Sequence, residues 1–321
     1  MVKVISLHGR DTFIQQTLKK PSQKYESCKN HINHISNHQK SMLASMVSSQ
    51  INSRNISQEK IQQFQKKILS FYRKNRRELP WRNTTDPYKI LLSEFMLQQT
   101  QVNRVILYYE KWIAKWPTID DLADASIAEV LQMWMGLGYN TRAVNLHKAA
   151  RKIVAKFDSD VLETMKHYKD VPGVGRYTSQ AVMIFSTNAN LVTVDTNIRR
   201  IFIKEFNLSQ KISDKELWML AEKCFPMGKS RDWHNALMDY GALFLTAKKT
   251  GIKSKTQQSR FEGSDRQLRA RIIRSLLHSD ESLTNMSRIL NVDSSWLQRI
   301  LEKLVSEEII SKKNNRYYLK E

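Results

Sequence analysis

The chain contains the stretch Lys169-Asp170-Val171-Pro172-Gly173-Val174-Gly175-Arg176 between two segments in which apolar residues recur at helical spacing. The backbone must turn sharply there, and the two glycines leave backbone N–H groups uncovered. Such groups at the N-terminus of a helix attract anions, so a phosphate could dock at this turn. A Pro-Gly-x-Gly turn also serves simply to connect two helices. The stretch therefore predicts two helices joined by a hairpin, which is either a phosphate-binding element or a plain connection.

Helix signals recur on both sides of this hairpin. Asp86-Pro87 places a capping acid before a proline at the first helical position. The spacing of a capping box, a Ser or Thr followed three residues later by an acid, occurs in Thr118 with Asp121, Ser126 with Glu129 and Ser213 with Glu216. Glycines and prolines number only 9 and 6, which disfavours a β-rich fold with many tight turns. We therefore predict an all-α fold.

Length and charge limit the classes of function. The 321 residues are 41% hydrophobic, enough for about two domains, and the net charge of +21 calls for a polyanionic partner, either nucleic acid or an anionic membrane. No apolar run approaches the roughly 18 residues that span a bilayer, and the N-terminus lacks a signal-peptide core. Two cysteines, Cys28 and Cys224, allow neither a disulfide framework nor an all-cysteine metal cage. We expect an intracellular protein of the cytoplasm or nucleoid.

The composition changes along the chain and predicts four segments. Residues 1–55 are polar and basic and are expected to form a flexible arm; Cys28 and the nearby histidines lack a second ligand pair, so no metal site is predicted. Helical periodicity covers residues 56–247, and a lysine-rich, aperiodic linker follows at 248–264. Residues 265–321 predict three helices and a hairpin, as in a winged helix. The alternative is a helix-turn-helix variant that only packs against its neighbour.

Glu94 is a candidate general acid. It lies on a mainly apolar helix face, one turn from Leu91 and from Leu97. Burial of a carboxyl group disfavours its charged form, so the pKa of Glu94 should be raised. Such a group can keep a proton near neutral pH and donate it. The alternative is a buried glutamate that a neighbour satisfies.

Asp195 is expected to have the opposite environment. It precedes a helical segment as an N-cap, and Arg199 and Arg200 lie on the next turn. The helix dipole and the two cations should lower its pKa. Most N-cap aspartates do no more than cap a helix. Cleavage of a glycosidic bond nevertheless requires one carboxyl group with a raised pKa and one with a lowered pKa. The first protonates the leaving group as an acid, and the second stabilises the sugar as an anion.

Several short motifs occur between Leu79 and Thr246. They are Leu79-Pro80-Trp81-Arg82, Asp86-Pro87-Tyr88, Ser93-Glu94-Phe95-Met96-Leu97-Gln98-Gln99-Thr100-Gln101-Val102, Gly136-Leu137-Gly138-Tyr139, Asn145-Leu146-His147-Lys148-Ala149-Ala150, Val171-Pro172-Gly173-Val174-Gly175-Arg176-Tyr177-Thr178 and Val194-Asp195-Thr196-Asn197. In order and type this series resembles the helix-hairpin-helix DNA glycosylases, and most closely the adenine-DNA glycosylases of the MutY kind. The resemblance implies a two-lobed helical fold and a partner that is double-stranded DNA with a mispaired base; we expect the chain to act as a monomer.

The resemblance also implies roles for individual residues. Glu94 would protonate a flipped adenine and Asp195 would stabilise the cationic sugar, with Tyr177 and Asn197 around them. The residues implied to contact DNA are Gln98, Gln99 and Tyr139, with Gln98 and Tyr139 inserting into the duplex, and the hairpin residues Pro172, Gly173, Val174, Gly175 and Arg176, which would grip a phosphate, commonly with a monovalent cation. An inserted amide or aromatic ring can fill the space that an extruded base leaves.

Three features differ from the family pattern. Many relatives carry four cysteines for an iron-sulfur cluster, but the first of these positions falls on Leu245 and no cysteine follows, so no cluster is expected. Bifunctional lyases of the superfamily carry a Schiff-base lysine where Tyr177 stands here, and a tyrosine cannot form the imine. The adenine glycosylases usually end in a Nudix-like domain that senses 8-oxoguanine, for which the last sixty or so residues are too short and too helical.

These differences leave alternatives for the function. We predict a monofunctional glycosylase that excises adenine opposite 8-oxoguanine or guanine. Gln98-Gln99-Thr100 and Asn145-Leu146-His147 favour adenine, whereas Asn140 stands where adenine glycosylases usually carry a second tyrosine. The alternatives are a mismatch thymine or uracil glycosylase, whose family shares the Glu, Tyr and Asp positions, and a DNA-binding protein without catalytic activity.

Overall fold

The computed structural model describes residues 56–253 and 260–320, so the predicted basic arm lies outside the described residues. As predicted, the described chain is mainly helical. The helices are α1 Gln58–Asn75, α2 Pro87–Leu97, α3 Val102–Lys115, α4 Ile119–Asp124, α5 Ile127–Trp134, α6 Thr141–Phe157, α7 Val161–Lys166, α8 Arg176–Thr187, α9 Thr196–Glu205, α10 Asp214–Cys224, α11 Ser230–Leu243, α12 Ala247–Thr250, α13 Asp265–Leu276, α14 Leu283–Leu290 and α15 Ser294–Ser306. Short 3-10 turns lie at Pro80–Arg82 and Tyr168–Asp170.

Four helices begin at the capping residues that the sequence predicts. Asp86 accepts hydrogen bonds from the backbone N–H groups of Tyr88 and Lys89 at the start of α2. Reciprocal capping boxes start α4, α5 and α10 at Thr118, Ser126 and Ser213. Each cap satisfies backbone donors that a helix leaves open at its N-terminus, so local sequence fixes these starts.

Helices α2–α8 form one lobe, lobe A, around a single hydrophobic cluster. Its largest side chains are tryptophans: Trp112 packs edge-on against Trp116 and Trp134, with ring centroids 4.8 and 5.6 Å apart. Trp112 also donates from its indole N–H to the Tyr88 hydroxyl at 3.2 Å. Large apolar groups that interdigitate in this way fix the relative positions of α2, α3 and α5.

Helices α1 and α9–α12 form the second lobe, lobe B. Phe64 of α1 packs against Phe202, Phe206 and Trp233, with ring centroids 5.0 to 5.7 Å apart. Within the described residues the chain therefore begins in lobe B, builds lobe A, and returns to lobe B at α9. Both connections between the lobes pass beside the cavity described below.

The C-terminal part, residues 260–320, has three helices and a small antiparallel sheet in the strand order β1-β3-β2. The strands are β1 Glu281–Ser282, β2 Ile310–Lys313 and β3 Arg316–Leu319. Asn314 and Asn315 turn the hairpin with φ of +49° and +59°, as a two-residue type I′ turn requires. This is the predicted winged-helix arrangement. Its buried residues belong to the same hydrophobic cluster as those of lobe A.

The segment predicted as a linker is partly folded. Helix α12 covers Ala247–Thr250, and the Ile252 side chain is buried. The Ile252 carbonyl accepts a hydrogen bond from Arg200 of α9 at 3.4 Å, which holds this segment against lobe B. Residues 254–259 lie outside the described residues. In the part of the chain that the structure describes, no helix has the length and apolar character to cross a bilayer.

A buried ion pair joins the segment just before α2, where the chain enters lobe A, to α11 of lobe B. The Asp239 carboxylate is fully buried and accepts two hydrogen bonds from Arg82, both at 2.8 Å, and two from the backbone and side chain of Arg77. Burial alone would raise the pKa of Asp239, but the hydrogen bonds and charges of Arg82 and Arg77 outweigh it and lower that pKa. The two arginines also line the cavity between the lobes.

We expect Asp239→Asn to lower the free energy of unfolding by about 3 kcal/mol, because two arginines would lose the buried charge that they face. The matched control is Asp232→Asn, which removes an exposed carboxylate from the same helix. Denaturant unfolding of the two variants measures the difference. Equal stability of the two variants would show that the ion pair does not hold the lobes.

Candidate active site

A cavity of about 970 Å³ opens between the two lobes. Lobe A contributes Glu94 from α2 and Tyr177 from α8, and lobe B contributes Asp195 and Asn197 from the start of α9. All four residues predicted to be catalytic therefore line one cavity, although about a hundred positions separate the two carboxyl groups in sequence. A cavity of this size can take a nucleobase together with its sugar.

Glu94 is set for proton donation by its surroundings. Its side chain is only 7% exposed and lies among buried residues of α2. The pKa of Glu94 is raised to about 7: burial is the largest cause, a hydrogen bond from the Tyr177 hydroxyl opposes the shift, and the neighbouring Asp195 charge adds to it. This confirms the direction expected from the apolar face. Near neutral pH the carboxyl group keeps a proton for a substantial part of the time.

Asp195 departs from the expectation. Its pKa is raised, because burial outweighs the hydrogen bonds from Ile198 and Asn197 and the charge of Arg200. The prediction of a lowered pKa was wrong because it counted the helix dipole and the two cations but not the loss of water. One of those cations also points elsewhere: Arg199 donates to the Gln210 carbonyl.

Asp195 nevertheless has several donors. As the N-cap of α9 it accepts the Ile198 N–H at 2.7 Å and the Asn197 side-chain amide at 3.0 Å. The Arg200 guanidinium in turn donates to the side-chain oxygen Oδ1 of Asn197 at 2.9 Å, so the Asn197 amide links the arginine to the Asp195 carboxylate. Among the described residues, the one hydrogen-bond donor that affects the Glu94 carboxyl group is the Tyr177 hydroxyl. The proton that the two carboxyl groups compete for should therefore reside on Glu94.

Tyr177 lines the same cavity as the two acids, in an environment that keeps it neutral. Burial and the charges of Glu94 and Asp195 raise the pKa of its phenol well above the usual range. A neutral phenol can donate one hydrogen bond, and here that bond goes to the Glu94 carboxyl group. Tyr177 thus orients the acid without competing for its proton.

A buried histidine that the sequence analysis missed supports the Asp195 loop. His234 of α11 is fully buried and accepts the Thr193 N–H at 3.1 Å, while its other ring nitrogen lies 2.7 Å from the Ser230 carbonyl. Burial lowers the pKa of His234 to about 4 against the effect of the Ser230 hydrogen bond, so the ring is neutral. A neutral ring that donates to Ser230 and accepts from Thr193 fixes the tautomer and the loop. No local pattern indicates this partner, because 41 positions separate the two residues.

The residues expected to enter DNA lie on two loops. Gln98 and Gln99 follow the end of α2 and line the cavity, and Gln99 has a φ of +57°. Tyr139 lies in the loop before α6 with a φ of +50° and does not line the cavity. The left-handed backbone of non-glycine residues on both loops shows that the surrounding structure imposes these conformations.

Arg142, which the sequence analysis did not single out, joins these two loops. Its guanidinium donates hydrogen bonds to oxygens of Phe95, Met96, Thr100, Leu137 and Gly138. The side chain is 8% exposed, and burial lowers its pKa to about 10, which leaves it charged at neutral pH. One buried cation therefore holds the loop of Gln98 and the loop of Tyr139 at a fixed separation.

The hairpin residues lie outside the cavity lining. Pro172 and Val174 lie within the turn, Gly173 has a φ of +74°, and a Cβ there would approach ring and side-chain atoms of lobe A to 2.8 Å. Gly175 is the N-cap of α8 and faces open space. Arg176 begins α8 with its guanidinium 3.9 Å from the centre of the Trp218 ring. The geometry keeps the N-terminus of α8 open to an anion.

The residues that the structure describes do not fit an iron-sulfur cluster. Among the described residues no group of His, Cys, Asp or Glu is arranged to hold a metal ion. Cys224 is buried, and burial raises the pKa of its thiol to about 12, whereas a cluster ligand is a thiolate. The side chain of Leu245, where the first cluster cysteine of relatives falls, is buried in lobe B.

Comparison with known proteins agrees with this geometry. The HhH-GPD superfamily of base excision DNA repair proteins matches residues 92–227. An adenine DNA glycosylase of Mycolicibacterium smegmatis is 33% identical over 270 residues, which cover 76% of this chain and 91% of that protein. The chain belongs to the HhH-GPD superfamily of base excision DNA repair proteins. Within it, the adenine DNA glycosylases provide several of the matches, including one of Buchnera aphidicola that is 38% identical over 183 residues.

A second group of relatives acts on other bases. A thymine/uracil-DNA glycosylase of Methanothermobacter thermautotrophicus is 34% identical over 186 residues, or 57% of this chain and 84% of that protein. The structure of a thermostable thymine-DNA glycosylase superposes with a TM-score of 0.54 at 33% identity, covering 60% of this chain and 94% of that one. The chain spans only 52% of the length of the Buchnera relative.

Glu94→Gln should stabilise the protein at pH 8 and not at pH 4. The pKa of Glu94 is 4.5 in the unfolded chain and about 7 in the folded protein. Between these two pH values the carboxylate of the unfolded chain must take up a proton on folding, so stability falls as the pH rises. The neutral amide removes this cost, which amounts to about 3 kcal/mol. Denaturant unfolding at both pH values measures it, with Glu110→Gln as the exposed control. A stabilisation that is the same at both pH values would contradict the raised pKa.

Proposed function

We propose that this chain is a DNA glycosylase of base excision repair that releases adenine mispaired with 8-oxoguanine or guanine. The observation that carries the proposal is the meeting of Glu94 and Asp195 in one cavity between the lobes. The similarity to adenine DNA glycosylases over most of the chain supports adenine as the base.

The two carboxyl groups divide the hydrolysis between them. Glu94 donates its proton to a ring nitrogen of the adenine, so the electron pair of the breaking bond to C1′ leaves on a neutral base. The sugar then carries positive charge, which the Asp195 carboxylate stabilises across the cavity. A water molecule adds to C1′ and gives a proton to the Glu94 carboxylate, which restores the acid, and an abasic site remains. Low solvent exposure strengthens both effects, because the charges are poorly screened.

Access to the base requires its extrusion from the duplex. We assign this to Gln98 at the rim of the cavity and Tyr139 on the adjoining loop, whose separation Arg142 sets. An amide and an aromatic ring can occupy the gap in the stack and offset part of the few kcal/mol that extrusion costs. Gln99 would contact the same region of DNA.

The basic surface would supply the phosphate contacts. We assign one contact to the hairpin from Pro172 to Arg176, which the open N-terminus of α8 and the Arg176 charge support, and a monovalent cation could share it. Exposed lysines on α12, Lys248 and Lys249, would supply further contacts in place of a cluster loop. We propose that the chain works without an iron-sulfur cluster.

We propose a monofunctional enzyme, because Tyr177 stands at the lysine position of the lyases and its neutral phenol cannot form an imine. We also propose that the enzyme acts as an intracellular monomer in which residues 56–247 form the glycosylase domain and residues 265–321 a winged-helix-like domain. The basic arm and the linker would flank the glycosylase domain.

A second candidate function is excision of thymine or uracil from mismatches with guanine. The observation that favours it is the 34% identity to a thymine/uracil-DNA glycosylase over 84% of that protein. A protein that only binds DNA is a weaker candidate, because both carboxyl groups line the cavity.

The deciding experiment incubates the full chain with duplexes that contain A opposite 8-oxoguanine, A opposite G, T opposite G or U opposite G, followed by alkali to cut abasic sites. We expect strand cleavage of the two adenine duplexes, only after alkali. Glu94→Gln should slow release by about 10² to 10⁴ while DNA affinity is retained, because the acid is lost but no phosphate contact is. Cleavage of only the T and U duplexes would establish the second candidate, and cleavage of none would leave a binding protein.

The pH dependence of adenine release should report the two acids. Above about pH 7 the single-turnover rate should fall by about tenfold per pH unit, because Glu94 loses the proton that it donates. On the acid side the rate should fall as Asp195 is protonated. Rates measured from pH 4 to 9 test this. A rate that stays constant from pH 6 to 9 is incompatible with Glu94 as the acid.

A further inference from the structure

The C-terminal part of the chain contacts the tyrosine that we assign to base extrusion. Arg266, in the first turn of α13, donates a hydrogen bond to the Tyr139 hydroxyl at 2.6 Å. Its guanidinium also lies 4.9 Å from the centre of the Tyr139 ring. The two residues are 127 positions apart, so this contact depends on the fold of the C-terminal part and on its docking.

Tyr139 depends on contacts from outside its loop, because the residues of the loop do not by themselves fix the backbone. Gly136 and Gly138 have φ of +102° and +76°, and Tyr139 itself has a φ of +50°. An isolated loop with this backbone would be mobile, since glycine allows many conformations and the tyrosine conformation is strained. Arg142 holds the loop backbone through Leu137 and Gly138, and its guanidinium lies 5.7 Å from the centre of the Tyr139 ring, but it makes no hydrogen bond to the Tyr139 hydroxyl.

The docking of the C-terminal part is fixed by contacts that do not involve Tyr139. Lys148 of α6 pairs with Glu308 at 2.7 Å. Arg269, one turn after Arg266, donates to Glu307 at 2.9 Å and to Thr141 at the start of α6. The shared hydrophobic cluster adds apolar contact. Arg266 is therefore held against the Tyr139 loop before any DNA is bound.

We propose that Arg266 is a positioning residue through which the C-terminal part holds the Tyr139 ring ready for insertion into DNA. A hydrogen bond from a charged donor fixes the end of the side chain, and the guanidinium near the ring restricts its rotation. A pre-ordered ring loses less conformational entropy when it enters the base stack, which favours the state with the base extruded. The C-terminal part thereby acts on base release without reaching the cavity.

This proposal rests on the proposed function, and a double-mutant cycle separates the two. The variants of the full chain are Arg266→Gln, Tyr139→Ala and the combination of both, with Arg274→Gln as the control. Arg274 is an exposed cation on the same helix, so its loss changes the net charge equally. The readout is the single-turnover rate of adenine release from an A opposite 8-oxoguanine duplex.

We expect Arg266→Gln to slow release about tenfold, the size of one charge-assisted hydrogen bond, and Arg274→Gln to stay within about twofold of the unsubstituted protein. In the Tyr139→Ala background the additional effect of Arg266→Gln should vanish. An equal loss in both backgrounds would show that Arg266 supports only the general structure and would overturn the proposal. An unsubstituted protein that releases no adenine would instead overturn the proposed function.

A second variant keeps the test decisive if Arg266→Gln does not fold. Tyr139→Phe removes the acceptor oxygen and leaves the C-terminal part unchanged. We expect it to slow release about threefold or more, with an unaltered unfolding midpoint. Full activity of Tyr139→Phe would overturn the proposal, because the hydrogen bond would then contribute nothing.

Discussion

The site depends on the exclusion of water from the Glu94 carboxyl group. Burial among the apolar side chains of α2, together with the smaller effect of the Asp195 charge, raises its pKa to about 7. A carboxyl group that still holds its proton near neutral pH can donate it to a leaving base, whereas an exposed glutamate would already have lost it. The burial has a cost, since an ionised carboxyl group in the same place would destabilise the fold.

The order of the chain explains how two distant acids meet. Helix α1 and helices α9–α12 build lobe B, and the intervening chain builds lobe A, so the lobes are joined on both sides of the cavity. The Asp239 ion pair with Arg77 and Arg82 holds the connection from α1 to α2 against α11. His234 of α11 holds the connection from α8 to α9, just before Asp195. Two buried polar contacts from one helix thus set the distance between an acid on α2 and an acid at the start of α9.

Local features were predictable from the sequence, and features that need distant partners were not. The starts of α2, α4, α5 and α10, the helical hairpin and the C-terminal β-hairpin depend on neighbouring residues and were correctly predicted. The raised pKa of Glu94 followed from one helix face. The pKa of Asp195 was predicted in the wrong direction, because sequence shows nearby cations but not the loss of water around a carboxyl group. The roles of His234, Arg142 and Arg266 depend on tertiary contacts that no spacing reveals.

The most direct test of this account is the titration of the Glu94 carboxyl group itself. Carbon-13 NMR of protein labelled in the glutamate carboxyl groups, with Glu94→Gln to assign the signal, follows its protonation in the folded protein. We expect a midpoint near pH 7 that moves down when Asp195 is replaced by asparagine, since the neighbouring charge is then gone. A midpoint at the ordinary glutamate value of 4.5 would contradict this expectation, because Glu94 would then hold no proton to donate near neutral pH.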